Sequence, residues 1–253
     1  MSQRPHLIPR RTDYEAIGGE QEYFVIPLLR HAIYDAIAKY TVASGSGASA
    51  LDIGAGECPL RKELESRGYH YVSLDITQNK TNTIDHIARI DGPLPPALLE
   101  GGGFDLILCT EVLEHVPDWS TTFTNLSKLL KPGGKCIITA PFFYMPHEEP
   151  YDYWRPTDHA LRHFAQIFDF RVIQSTRTGD GWDVLGTLLC SIAICRKRKS
   201  IIGLVATVPV YMAHRLMVKF VKSKMLSKFV EIQTRYYTGN VLIIEKVKDG
   251  NNL

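Results

Sequence analysis

The chain has 253 residues, of which 45% are hydrophobic, which is enough for one large domain with a substantial core. Its five scattered cysteines include no CxxC pair, which excludes a disulfide framework and a cysteine zinc site and favours a cytoplasmic setting. The small net charge of +2 hides an uneven distribution of basic and acidic side chains along the chain. The first residues lack the apolar stretch of a secretory signal.

The N-terminal part is predicted to form a lid, residues 1–43. Residues 1–19 are polar, contain prolines and glycines, and are predicted to be an arm. Residues 20–40 have apolar side chains at helical spacing and are predicted to form a helix that Pro27 kinks or delays. Tyr14 and Phe24 are expected to cover a bound ligand.

Residues 51–60, LDIGAGECPL, are the stretch around which the chain is organised. An apolar run enters two glycines and a helix-like segment follows, which is typical of a nucleotide cradle. Asp75 ends the next apolar run, where an acid suits hydrogen bonding to ribose hydroxyls. Pro59 occupies the third glycine position of the dinucleotide fingerprint, and the alternative interpretation is that Gly54 and Gly56 only make a tight turn.

Apolar strands and helices alternate along most of the chain, which predicts an α/β fold with a doubly wound, mostly parallel sheet. Strands are predicted at ALDI, YHYVSLDI, TIDHIARID, FDLILCT, KCIITAP, FRVIQST and TGNVLIIEKVK, and helices near residues 59–67, 119–130 and 155–168. The predicted core is 44–178, with an insertion at 179–236 and a final strand and tail at 237–253.

The insertion is apolar and basic. Residues 184–230 contain nine Lys or Arg and no acid, so the rest of the chain carries the other 20 of the 29 basic side chains and all 27 acidic ones. Its apolar runs, 184–195 and 201–213, are each too short to span a bilayer alone. This pattern predicts contact with an anionic membrane surface, which would make the protein peripheral on the inner face of the membrane.

Two other interpretations of the insertion are a helical hairpin packed on the domain and a contact with a second subunit in a homodimer. Nucleic-acid binding is not expected, because the lysines are interleaved with aliphatic rather than aromatic stacking residues.

Four stretches together resemble the class I S-adenosylmethionine-dependent methyltransferases of the type 11 small-molecule group: LDIGAGECPL, SLDI, FDLILCTEVLEHVPDW and LKPGGKCIITAPF. They follow the family's order over residues 50–176, and TGNVLIIEKVK is similar to the family's last strand. The resemblance implies a seven-stranded Rossmann-like fold with strand seven antiparallel between strands five and six. It also implies S-adenosylmethionine as the cofactor.

The resemblance assigns a set of cofactor-binding residues. The set is Asp52, Gly54 and Gly56 at the methionine end, Asp75 at the ribose, Asp91 at the adenine, Thr110 and Glu111 closing the pocket, and the flanking Ala55, Ile76 and Gly92. The sequence departs from the family at Glu57-Cys58-Pro59, where small residues are commoner.

Titratable and aromatic side chains crowd the segment after strand five, which begins at the end of the sheet where ligands bind. If the acceptor is a hydroxyl, a base must take its proton, and His147 is the candidate because imidazole titrates near neutrality. The alternative for His147 is a surface histidine in a polar loop. His115 of EVLEH is a second candidate base, or it orders the loop under the cofactor. Residues expected to bind the acceptor are Glu148, Tyr151, Asp152, Tyr153, Trp154 and Arg155.

The block PFFYMPHEEPYDYWRPTDHALRHF resembles a segment of methyltransferases encoded with bacterial polysaccharide genes. The predicted function is O-methylation of a sugar of a glycan or lipid-linked precursor at the cytoplasmic membrane face, by a displacement that requires no metal. The alternatives are a methyltransferase of a lipophilic quinone, polyketide or lipid, and a non-catalytic pseudo-methyltransferase that serves assembly.

Overall fold

A computed structural model describes Tyr14 and residues 19–41, 47–194 and 201–247, and these contain a seven-stranded sheet. The strands are β1 Ser49–Ile53, β2 His70–Asp75, β3 His86–Ile87, β4 Phe104–Thr110, β5 Leu130–Pro141, β6 Phe170–Thr178 and β7 Gly239–Lys246. Their order is β3-β2-β1-β4-β5-β7-β6, and β7 runs antiparallel to both of its neighbours while the other pairs are parallel. The predicted fold, including the place of the last strand, is confirmed.

Seven α-helices lie in the described residues. They are α1 Ile26–Tyr40, α2 Arg61–Ser66, α3 Pro96–Glu100, α4 Trp119–Leu129, α5 Asp158–Ile167, α6 Gly181–Ser191 and α7 Ile201–Lys222. Pro27 lies in the first turn of α1, where a missing N–H costs no helical hydrogen bond, so it delays the helix as predicted. The predicted N-terminal arm lies outside the described residues, except for Tyr14 and Gly19.

Both faces of the sheet are buried, which explains why its central strands are continuous apolar runs. Along β4, Leu106 and Leu108 face a cluster formed with α1 and α2, whereas Ile107 and Cys109 face a cluster formed with α4 and α5. Cys109 is fully buried, as expected of a core thiol. The two layers hold the strand ends rigidly at one edge of the sheet.

Three elements differ from the prediction. α3 forms in a stretch where no helix was predicted, with Pro96 in its first turn. β3 is reduced to two residues, since the neighbouring Asp85 accepts hydrogen bonds from the backbone and hydroxyl of Ser73 instead of continuing the strand. β5 begins at Leu130, five residues early, because Leu130 pairs with Phe104 before a register shift.

The insertion forms α6 and α7, which pack on each other and near the 3₁₀ turn Glu20–Glu22. Phe24 is buried with Leu189, Val218 and Val221 in a small cluster, so it does not cover the pocket as expected. A side chain at Gly186 would collide with Phe24, because its Cβ would lie 2.5 Å from the ring. Within the described ranges, no helix is both long and apolar enough to cross a membrane.

Candidate active site

A cavity of about 440 Å³ opens at the carboxyl ends of β1, β2 and β4, where parallel sheets bind ligands. Its volume lies in the range of small-molecule sites, roughly 300–1,000 Å³. The turn after β1 and the end of β2 form one side of the cavity. The loops after β4 and β5 form the other, and α1 contributes Ile26 and Leu29.

The turn after β1 requires glycine at two positions. Gly54 and Gly56 have φ values of +68° and +56°, which L side chains rarely adopt. A Cβ at Gly54 would also lie only 2.4 Å from the side chain of Val112. Both glycines and Ala55 line the cavity, so the backbone itself forms this wall.

Asp75 is fixed at the end of β2 by the same backbone. Its Oδ2 accepts a hydrogen bond from the N–H of Gly56 at 2.9 Å, and its Oδ1 accepts one from the N–H of Thr77 at 3.1 Å. Asn79 donates to the carbonyl of Gly56 at 3.0 Å and holds the turn from outside. This buried carboxylate therefore has a set orientation, and its oxygens are acceptors of the kind that hydroxyl donors require.

Asp52 lies deeper in the same wall. Its side chain is buried, and Oδ2 accepts a hydrogen bond of 2.7 Å from the hydroxyl of Tyr71. Burial raises the pKa of Asp52 to about 7, although the Tyr71 hydrogen bond opposes this. A cationic ligand group beside Asp52 would favour its ionised form.

The other predicted cofactor residues follow the edge of the cavity, with one exception. Ile76, Asp91, Thr110 and Glu111 line the cavity, and Thr110 is 3.3 Å from the hydroxyl of Tyr14 in a side-chain hydrogen bond. Gly92 is not among the lining residues, because its carbonyl points to Asn125 of α4, which donates to it at 2.8 Å.

The loops after β4 and β5 are tied together by hydrogen bonds at the 3₁₀ turn Leu113–His115. The backbone N–H groups of Tyr153 and Trp154 donate to the carbonyl of Glu114 at 2.8 and 3.2 Å. The indole of Trp154 donates to the carbonyl of Val116 at 2.9 Å. These bonds bring together two histidines that are 32 positions apart in sequence.

His115 and His147 form an edge-to-face pair with ring centroids 4.8 Å apart, and both line the cavity. Glu114 lies behind them and is fully buried. Its Oε1 is 3.8 Å from His115 Nε2 and 3.9 Å from His147 Nε2. Neither carboxylate oxygen of Glu114 has a hydrogen-bond partner among the described residues.

This Glu114–His115–His147 cluster has the composition of a metal site, and one ligand atom of each residue lies within 4.8 Å of the others. Burial, and next the charge of Glu111, raise the pKa of Glu114 well above its usual range. Burial, and next the charge of His115, lower the pKa of His147.

Asp152 and Arg155 hold the segment after β5 instead of facing the cavity. The Asp152 carboxylate accepts two guanidinium hydrogen bonds of 2.6 Å from Arg155 and one of 2.8 Å from the N–H of His147. Arg155 also donates to the carbonyl of Met145 at 3.0 Å. Both residues, predicted to bind the acceptor, thus fix the backbone that carries His147.

The remaining predicted acceptor residues divide into two groups. Glu148 and Tyr151 line the cavity. Tyr153 and Trp154 do not, since the Trp154 ring packs on Trp119 with centroids 5.8 Å apart. Trp154 therefore packs on a core side chain, although it is itself 46% exposed.

Sequence reasoning did not single out Glu114 as a functional residue. Its acidic side chain within the apolar motif VLEHV was the available signal, because a buried acid needs a partner. The cavity-lining Tyr144 and Glu149 were also missed.

Comparisons with known proteins agree with the geometry. A family model described as a methyltransferase domain matches residues 28–176, more than half of the chain. The ubiquinone biosynthesis O-methyltransferase of Psychrobacter cryohalolentis is 31% identical over 105 residues, covering 37% of this chain and 41% of that protein. The chain thus spans about two fifths of this curated relative's length.

Solved structures show the same fold at low identity. The [4+2]-cyclase SpnF is 15% identical with a TM-score of 0.53, covering 96% of this chain and 100% of that one. The 1,6-didemethyltoxoflavin-N1-methyltransferase of Burkholderia thailandensis is 15% identical with a TM-score of 0.51, covering 87% and 79%. SpnF is named a cyclase, so a similar fold does not by itself determine which reaction a protein catalyses.

Proposed function

This chain belongs to the methyltransferase-domain family, and from that membership we propose that it transfers the methyl group of S-adenosylmethionine to a hydroxyl oxygen of a lipophilic, quinone-type acceptor. The observation that carries the proposal is a single cavity in which the glycine turn and Asp75 face His115 and His147. The ubiquinone-related O-methyltransferase among the relatives supports an oxygen acceptor.

The donor occupies the side of the cavity formed by β1 and β2. Asp75, oriented by two backbone N–H groups, accepts hydrogen bonds from the ribose hydroxyls. The turn at Gly54 and Gly56 lets the backbone approach the methionine part of the donor. Asp52 lies where a positive charge of the donor offsets the cost of burying a carboxylate.

The acceptor lies between the donor and the histidine pair. Its oxygen forms the new C–O bond in line with the breaking C–S bond, and the electron pair of that bond stays on sulfur. The acceptor's proton leaves on the side of the Glu114–His115–His147 cluster, and S-adenosylhomocysteine leaves neutral. Holding both reactants in this geometry contributes roughly 7–11 kcal/mol.

The side chains that line the cavity favour particular classes of acceptor. Ile26, Leu29 and Val116 provide an apolar surface, which supports a lipophilic ring system. A sugar hydroxyl of a glycan or lipid-linked precursor is the second candidate, because Glu148 and Glu149 line the cavity with the half-exposed Tyr151. Carboxylates and an aromatic ring suit sugar hydroxyls and a sugar face.

The test incubates the full chain with methyl-labelled S-adenosylmethionine and two acceptor panels, catechols and quinols with short prenyl tails, and sugars with and without a lipid carrier. We expect label in the first panel. Transfer only to sugars would replace the acceptor, and cofactor binding without transfer to any acceptor would favour the non-catalytic interpretation. His147→Ala should lower turnover but not cofactor affinity, and His159→Ala, at a 76% exposed histidine, is the matched control.

A further inference from the structure

We propose that Glu114, His115 and His147 bind a divalent first-row cation, with Zn²⁺ as the best match, at the acceptor side of the cavity. Two imidazoles and one carboxylate form a ligand set that leaves a coordination position open for a substrate oxygen. Each residue offers a ligand atom within 4.8 Å of the others, so small side-chain movements bring all three to bonding distance of one ion.

Glu114 is the strongest part of the site. It is fully buried, and neither of its oxygens has a hydrogen-bond partner among the described residues. Buried carboxylates in proteins are paired, neutralised or bound to a metal. Its Oε1 is nearly equidistant from His115 Nε2 and His147 Nε2, at 3.8 and 3.9 Å, which are too long for hydrogen bonds but suit an atom between them.

The His115 imidazole has the partner of a metal ligand, and the His147 imidazole lies beside the Asp152–Arg155 ion pair. His115 Nδ1 lies 2.9 Å from the carbonyl of Tyr151, which fixes the tautomer with the proton on Nδ1 and leaves Nε2 with a lone pair. His147 is held at its backbone N–H by Asp152, and its Nδ1 lies 3.3 Å from Arg155 Nη2 and 3.4 Å from Asp152 Oδ2. A carbonyl partner such as that of His115 orients metal-bound histidines.

The ion gives the cluster a defined role in the reaction, and this role rests on the proposed function. The acceptor hydroxyl bound at the open position loses its proton to solvent more easily, because the cation lowers its pKa. The resulting oxygen anion then forms the C–O bond as the C–S bond breaks. The imidazoles therefore hold the ion, whereas the sequence predicted His147 to take the proton itself.

The test is calorimetric titration of the full chain, stripped of metal by a chelator, with ZnCl₂, MnCl₂ and MgCl₂ in turn. We expect one equivalent of Zn²⁺ to bind, and Glu114→Gln and His147→Ala each to weaken binding at least about 100-fold. His159→Ala is the control for adventitious binding by a surface histidine. Cofactor affinity measured in the same variants shows that they are folded, and His115→Ala provides a third ligand variant.

The outcomes separate this proposal from the proposed function. Zn²⁺ binding that is absent, or unchanged in Glu114→Gln and His147→Ala, overturns the metal site. Methyl transfer that persists undiminished after chelation also overturns it, while leaving the methyltransferase proposal intact. Conversely, specific metal binding without methyl transfer to any hydroxyl acceptor supports the site and contradicts the proposed reaction.

From a different surface we infer that α7 and the segment after it bind an anionic lipid bilayer. Most described side chains of α7 from Val205 onward are exposed, and many of them are large and apolar. Examples are Val205, Val210, Met212, Leu216, Met217 and Phe220, followed by Phe229, which is 83% exposed. A soluble monomer rarely exposes so large an apolar surface without a partner.

The charges identify the partner. Lys219, Lys224 and Lys228 are exposed on the same stretch, and residues 184–230 contain no Asp or Glu. Among the described residues, α7 is covered on the side where Val218 and Val221 pack on Phe24 and Leu189. A helix that combines exposed apolar and basic side chains lies in the interface of an anionic membrane, with its lysines near the phosphates.

The test is flotation of the full chain with phosphatidylcholine vesicles, with and without phosphatidylglycerol. We expect binding that depends on the anionic lipid and decreases with salt. Lys219→Glu with Lys228→Glu should weaken it at least 10-fold, and Leu216→Asp should weaken it further. Lys62→Glu with Lys80→Glu makes the same charge change at exposed residues outside α7 and should leave binding unchanged.

Two results would contradict membrane binding. Equal binding of all charge variants would exclude Lys219 and Lys228 as the contact. A stable dimer by light scattering that ignores vesicles and dissociates in Leu216→Asp would instead assign this surface to a second copy of the chain.

Discussion

The two sides of the cavity are built in different ways. On the donor side, the Asp75 carboxylate accepts backbone hydrogen bonds, and two glycines place the main chain at the wall. On the acceptor side, side chains provide the chemistry, and the buried Glu114 carboxylate keeps both oxygens without a hydrogen-bond partner among the described residues. The donor side is thus formed by the protein alone, whereas on the acceptor side the proposed cation would supply the partner that Glu114 lacks among the described residues.

This difference separates the expected effects of mutation. Changes on the donor side should alter cofactor affinity, because they disturb a wall that is already formed. Changes on the acceptor side should alter turnover with little effect on cofactor affinity. Four substitutions of decreasing expected effect test this distinction.

Gly54→Ala should have the largest effect. The new Cβ would lie 2.4 Å from Val112, so the turn must shift, and we expect cofactor affinity to fall at least about 100-fold with a loss of about 2–4 kcal/mol in stability. Gly47→Ala is the matched control, since Gly47 has a similar φ of +64° but no atom within 4 Å of a new Cβ. Calorimetry measures the cofactor affinity, and urea denaturation measures the stability. Equal losses in Gly54→Ala and Gly47→Ala would show that the positive φ matters and the contact with Val112 does not.

Asp75→Ala should weaken cofactor binding by about 10–100-fold, because hydrogen bonds to a charged group contribute about 1.5–3 kcal/mol. Calorimetric titration with S-adenosylmethionine measures the change. Asp85→Ala is the control, because Asp85 accepts a hydrogen bond from the N–H of Ser73 and does not line the cavity. It should lower the stability but leave the cofactor affinity unchanged. Unchanged affinity in Asp75→Ala would remove this residue from the ribose site.

Asp152→Ala should lower turnover by about 10-fold and leave cofactor affinity near that of the wild type. The substitution removes the acceptor for Arg155 and for the N–H of His147, so His147 loses its fixed position. Asp158→Ala, which removes a surface ion pair with Arg177, is the control. A parallel loss of cofactor affinity would show that the two sides of the cavity are not independent.

Asp52→Asn should have the smallest effect, visible as a change in pH dependence. The folded pKa of about 7 lies above the unfolded value near 3.9, so this group's stabilising contribution is complete below about pH 4 and is lost as pH rises through 7. For the cofactor-free protein, the group lowers the free energy of unfolding by about 1.4 kcal/mol between pH 6 and 8. Urea denaturation at both pH values should show a smaller decrease in the free energy of unfolding for Asp52→Asn than for the wild type. Equal decreases in the two proteins would contradict the raised pKa.

The sheet and the donor side were largely predictable from the sequence, because their signals are local. Apolar runs define the strands, and the glycines of LDIGAGECPL and the acid at Asp75 directly follow strands whose order the fold determines. Gly92 was the exception, because its carbonyl accepts a hydrogen bond from Asn125 of α4, a helix far away in the sequence. Nothing in the sequence near Gly92 indicates that contact.

The acceptor side was harder to predict, because tertiary contacts create it. His115 and His147 lie together because the carbonyl of Glu114 accepts hydrogen bonds from the loop that follows β5. The sequence placed Asp152 and Arg155 among the groups facing the acceptor, but their mutual ion pair turns them into the support of that loop. Residue type therefore identified the right segment, and only the geometry separated supporting residues from lining ones.

The 3₁₀ turn before α1 has a consequence for how the insertion and the cavity move. Glu20 in this turn pairs with Arg215 at 3.0 Å and with Lys222 at 3.5 Å, and the same segment continues into Ile26 and Leu29 of the cavity wall. Any displacement of α7 must break these pairs or pull on that wall. The insertion is thus linked to the cavity wall through Glu20 and the start of α1.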